Sequence, residues 1–248
     1  MKELFPIMSS KPEKIRIIAI IPAWLWVFIL FPMFLPFVGL GAWEQHEVSI
    51  WIEITYHIMN GILMLLIIGD YLKEEWFYVS TDPKYYLKQM ALTVGLVLGV
   101  ELLMLIILSA FGVNVTNMLE MLPIAEMSVS RTPLFMIHYK PLFGAITLTI
   151  FAPISICALF YCLGFAPICC RNPWFAYLSV AAITFIPAVI DILWRGEAGL
   201  VLSGYLVCLP AHLLICWSYQ RTDNVWTPLV SLAIVNLIMS IVLPFITL

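Results

Sequence analysis

Charge is scarce in this chain. Twelve Lys and Arg and fifteen Asp and Glu are spread over 248 residues, and the net charge is −3. That balance excludes the basic surface nucleic acid requires, so no nucleic-acid partner is expected. There is no HExxH pair, no Gly-rich phosphate loop and no Ser/His/Asp order, which removes the common signatures of zinc peptidases, nucleotide binders and serine hydrolases. The six Cys lack zinc spacing. Cys157, Cys162, Cys208 and Cys216 sit in apolar runs as small hydrophobes, and Cys169 and Cys170 are adjacent. No metal, cofactor or catalytic constellation is expected. Internal repeats and low-complexity linkers are also absent, and the apolar/polar alternation of a membrane barrel is missing.

What the chain has is apolar surface. Hydrophobic residues make up 63% of it, and the mean hydropathy is +1.03. A domain this apolar calls for a bilayer as its solvent, with membrane lipids as partners. Runs long enough to cross occur at about 17–40, 50–69, 89–111, 141–163, 174–192, 198–217 and 226–247, each near the ~20 residues a crossing helix needs. The prediction is an all-α, polytopic transmembrane helix bundle of about seven spans, one integral membrane domain over 1–248. The basic N-terminal stretch before the first run has no small-residue cleavage site after it, so that run reads as a retained span.

Basic residues orient the bundle. With the N-terminus in the cytoplasm, nine lie inside (Lys2, Lys11, Lys14, Arg16, Lys73, Lys84, Lys88, Arg171, Arg221) and three outside (Arg131, Lys140, Arg195). Seven spans then leave the C-terminus outside, with a long outer loop at about 112–140. The expected location is the plasma membrane.

Polar side chains inside such spans are costly, which makes them candidates for function. Glu53, His57 and Asn60 fall on one face of the second span, Glu101 midway along the third, His212 in the sixth and Asn236 midway along the seventh. One reading has Glu53, His57 and Glu101 converging in a cavity that handles a substrate, peptide or proton. The other has these groups, with Asn60 and His212, satisfied across helix pairs and merely holding the bundle together. Asp191 and Arg195 read as an interfacial pair. Glu74 and Glu75 read as the solvated face of a charged inner loop.

The last hundred residues resemble a known family. FAPISICALFYC (151–162), LSVAAITFIPAVI (178–190) and YQRTDNVWTPLVSLAIVN (219–236) are similar, in order, to three motifs of the CPBP family. That family comprises CAAX proteases and bacteriocin-processing (Abi) proteins, which are intramembrane glutamate proteases. The charged stretch DYLKEEWFYVSTDPKYYLKQM (70–90) looks like a connector of bacterial members. The likeness covers most of 141–240. The family's paired glutamates fall on Ile156 and Cys157, and its arginine on Tyr161. Its Phe-x-x-x-His motif keeps Phe185 but has Val189 for the histidine. Its His-x-x-x-Asn motif has Leu232 for the histidine and keeps Asn236. Ile and Val cannot accept a proton, so the resemblance implies a pseudoprotease: the framework without the chemistry.

The function expected from the resemblance is binding of a peptide or membrane-protein partner, as a bacteriocin immunity protein or an accessory subunit of a membrane complex would do. Two alternatives stay open. One is an intramembrane peptidase with relocated groups such as Glu53, His57 and Glu101, and the other is a small proton-coupled transporter using that same set.

Overall fold

The computed structural model describes residues 46–112, 141–158, 165–169, 172–195 and 198–246. Helix is the only regular structure among them. In chain order the elements are α1 (His46–Thr81), α2 (Pro83–Ala110), α3 (Pro141–Ile146), a π-helical turn (Thr147–Phe151), α4 (Ala152–Ile156), α5 (Ala166–Cys169), α6 (Pro173–Arg195), α7 (Ala198–Thr222) and α8 (Trp226–Ile246). All-α is therefore the class of the described chain. The first apolar run at 17–40 and the loop at 112–140 lie almost wholly outside the described residues.

Local chemistry explains where the helices begin and end. Asp82 alone separates α1 from α2. Its side chain accepts the Tyr85 amide at 3.2 Å, and Pro83 supplies a preset φ where no donor is needed. At the other end of α2 the chain leaves through Phe111 and Gly112, whose φ of +80° suits glycine. Asn172 starts α6 by accepting the Trp174 and Phe175 amides. Asp223 (φ 48°) terminates α7 in the left-handed region, which a short polar side chain tolerates.

The charged connector predicted between the second and third spans is helical, which corrects its reading as a loop. No proline or glycine interrupts 70–82, so α1 runs on through Lys73, Glu74 and Glu75 to Thr81. The runs predicted at 174–192, 198–217 and 226–247 fall on α6, α7 and α8 within about five residues of their expected limits, the run at 89–111 falls on α2, which starts at Pro83, and the run at 141–163 begins with α3, the π turn and α4. Among the described residues one helix, α2, is both long and apolar enough to cross a membrane. Shorter apolar stretches occur at His57–Leu66, Leu142–Ile156 and Trp226–Ile241.

Helix α8 sits at the centre. It packs on α1, α2, the π turn, α4 and α7, while α6 lies outside against α7 and α5. The core gathers Met64 and Ile68 of α1, Val97 of α2, Ile215 of α7 and Val235 of α8. Where α1 crosses the π turn, Gly61 permits the approach. A Cβ there would lie 2.6 Å from the Phe151 ring and 3.0 Å from its Cα.

Candidate functional site

The site begins with a proline. In the π turn the Ala152 amide bonds the Thr147 carbonyl, five residues back. In that register the next amide, at residue 153, would serve the Leu148 carbonyl, but Pro153 has no N–H. A buried carbonyl without a donor costs about 1–3 kcal/mol. Asn236 supplies the missing donor: its Nδ2 reaches the Leu148 oxygen at 2.9 Å. The two residues come from separate motif stretches, and the structure joins them through one backbone group. Asn236 is fully buried, and Ser240 below it donates to its carbonyl at 2.6 Å.

Around this bond the family-like positions divide. Ile156, Cys157 and Leu232 are buried together in the main hydrophobic core. Their side chains carry no base or carboxylate, and the surroundings are apolar. Phe185 and Val189 lie on α6, away from that core. Phe185 is half exposed and packs edge-on against Tyr205 of α7 at 5.1 Å between centroids, and Val189 is partly buried. The structure thus places three of the positions in one core, links Asn236 to the turn preceding Ile156 and Cys157, and sets Phe185 against α7. Tyr161 lies outside the described residues.

The polar candidates are distributed too. His57 and Asn60 are buried on α1, which packs chiefly against the π turn and α4. Glu53 is on the same helix, one turn before His57, with its side chain outside the described residues. Glu101 is buried on α2, whose main neighbours are α7 and α8. Among the described residues neither Glu101 oxygen has a hydrogen-bond partner, so no such bond joins it to His57. Its carboxyl lies within electrostatic reach of the Cys208 thiol on α7. His212, buried four residues beyond Cys208, shares that face of α7. The side chains of Asp191 and Arg195 lie outside the described residues.

The turn between α7 and α8 holds a cluster that composition did not reveal. Asn224 Oδ1 accepts the Trp226 amide at 2.9 Å, while its Nδ2 donates to the Glu75 carbonyl at 3.0 Å and to Glu75 Oε2 at 2.9 Å. The Trp226 indole N–H donates to the Leu72 carbonyl at 2.8 Å, and its ring meets Trp76 edge-on at 5.0 Å. Tyr71 and Tyr219 share a hydrogen bond between hydroxyls at 3.1 Å. Glu75 is therefore partly buried and bonded, which corrects its reading as a solvated carboxylate, whereas Glu74 is exposed. The physical reason is the turn itself, which lays Asn224 across the last turns of α1. The signal available in the sequence was the pairing of Asn224 with Trp226 two residues later, an Asx-type helix start.

Among the described residues no group of three His, Cys, Asp or Glu could hold a metal ion. No family model, curated protein or solved structure matches the chain.

Proposed function

We propose that this protein is a polytopic membrane protein of about seven spans, with a CPBP-like core and no protease chemistry, that works by binding a peptide or membrane-protein partner. The observation that carries the reading is the composition of the family-like positions in the core. Ile156, Cys157 and Leu232 fill the place where the resemblance puts a glutamate pair and a histidine, and all three are buried among apolar side chains. A water there has no group to take its proton and none to stabilise developing charge, and the loss of each such contribution costs orders of magnitude in rate. Asn236 donates to a backbone carbonyl. The concrete forms of the proposal are an immunity protein or an accessory subunit.

The membrane setting is supported by surface chemistry. Leu102, Leu103 and Ile106 on α2 are each more than half exposed, as lipid-facing side chains would be. The described basic residues with exposed side chains, Lys73, Lys84, Lys88 and Arg221, lie at one end of the bundle, the end the positive-inside bias assigns to the cytoplasm. Affinity purification in mild detergent tests the binding role. Wild type and Cys157→Ala should retain the same partner. A partner lost only with the thiol would contradict a role without covalent chemistry.

A second reading is favoured by Glu101. A buried carboxyl with neither oxygen bonded is expensive, and a proton-coupled transporter is one setting that retains such a group. A membrane-reconstituted protein that moves protons, with Glu101→Gln abolishing the flux, would favour this reading over the first.

A further inference from the structure

One end of the bundle carries exposed aromatic rings on a rigid frame. Trp76, Phe77 and Tyr78 at the end of α1 are 50%, 66% and 52% exposed, and Trp174 and Phe175 at the start of α6 are 84% and 62% exposed. They belong to the same end. Tyr71 of α1 bonds Tyr219 of α7, and Tyr177 of α6 donates to Gln220 beside it at 2.7 Å.

These rings cannot fold back. The α1–α2 link is a single residue, capped on one side by the Asp82 side chain. On the other side, Asn224 and Trp226 hold the last turns of α1 through Glu75 and Leu72. Such a patch on a frame fixed in water would be an aggregation surface. Between the rings stand charges of both signs. Lys73, Lys84, Lys88 and Arg221 lie in the same segments as Asp70, Glu74, Glu75, Asp82 and Asp223, and Glu75 is already bonded to Asn224. Among the described residues these four basic and five acidic groups leave no positive excess, so the rings and not the charge are the distinguishing feature of this end. Length adds an independent constraint. Thirty-six residues make α1 about 54 Å long, against ~30 Å of hydrocarbon and ~40–45 Å with headgroups. At least one of its ends must therefore reach the headgroup layer or pass beyond it.

We infer that the α1–α2 tip and the start of α6 are seated in the phospholipid headgroup layer, with the aromatic rings as the anchors and a zwitterionic phospholipid surface as the partner. Aromatic side chains with apolar bodies and polar edges favour that layer, and flanking lysines can reach phosphate from it. The inference rests on the membrane reading above and deepens it by fixing the depth of this end.

An environment-sensitive fluorophore at a single cysteine tests both separately. Ser80→Cys places it on the exposed tip, and Leu103→Cys on the exposed mid-face of α2, in a Cys-less protein reconstituted into phosphatidylcholine vesicles. Both labels should show blue-shifted emission, the Ser80 label losing signal to a quencher near the headgroups and the Leu103 label to one deep in the chains. Combining Phe77→Ser, Tyr78→Ser and Phe175→Ser should move the tip label to the red and open it to aqueous iodide. A tip label quenched by iodide while the Leu103 label stays in lipid would overturn this inference and spare the membrane reading. Both labels in water would overturn the two together. A tip that enters lipid only when phosphatidylglycerol is added, or that ignores loss of the rings, would also overturn it.

Discussion

Two buried polar groups on neighbouring seams, Asn236 on α8 and Glu101 on α2, are answered differently by the fold. Asn236 donates through Nδ2 to a carbonyl that Pro153 cannot serve, which closes a deficit built into the helix it touches, while its Oδ1 accepts no hydrogen bond among the described residues. Glu101 is equally enclosed, yet neither of its oxygens receives a hydrogen bond. Inside an apolar core the Nδ2 bond of Asn236 offsets the cost of its unbonded oxygen, whereas Glu101 has no such offset. The difference separates a group held for architecture from one the architecture only tolerates. It also shows why polarity in a span is a poor guide to function until its partners are known.

The comparison can be tested through stability in mixed micelles, from the largest effect to the smallest. Gly61→Leu attacks the seam on which the Asn236 bond depends. The added side chain meets the Phe151 ring and backbone, and should destabilise by about 3 kcal/mol, the upper end for overpacking. A variant as stable as wild type would mean that α1 and the π turn are not held at this distance. Asn236→Leu should cost about 1 kcal/mol, because the Leu148 carbonyl loses its donor while the unbonded Asn236 Oδ1 is removed. Glu101→Leu should move in the opposite direction, raising stability by about 1 kcal/mol as an unpaired buried polar group is replaced by an apolar one. Equal signs for these two variants would break the comparison. The smallest effect sharpens it. In Pro153→Ala the new amide can serve Leu148, so Asn236→Leu should then cost less by about 0.6 kcal/mol, the usual size of a hydrogen-bond coupling between membrane helices. Strict additivity would disconnect Pro153 from Asn236.

Much of the framework was legible in advance. The apolar runs set the helices of α2 and α6–α8 because a helix is the way a continuous apolar segment buries its backbone. The extension of α1 through 70–81 was missed because charge was taken as a sign of loop, although Lys and Glu are good helix formers and no breaker precedes Pro83. At the site, side-chain type alone identified Asn236, His57, Asn60, Glu101 and His212 as costly. It could not say that His57 and Glu101 lie on helices with different neighbours, because that depends on which helix occupies the centre. The bond from Asn236 to Leu148 was hidden for another reason. Its acceptor is a backbone carbonyl, and the need for it arises from the π register before Pro153, which apolar periodicity does not encode. The Asn224–Glu75 clamp was missed likewise, since it joins residues 149 apart.

The account turns on association without hydrolysis, and the mass of a bound partner tests that most directly. The partner co-purified in mild detergent would be measured by mass spectrometry from cells expressing wild type and from cells expressing a Glu53→Gln/His57→Asn/Glu101→Gln variant. The account predicts the same uncut partner with both proteins. A specific cleavage product made by wild type and absent with the variant would contradict it.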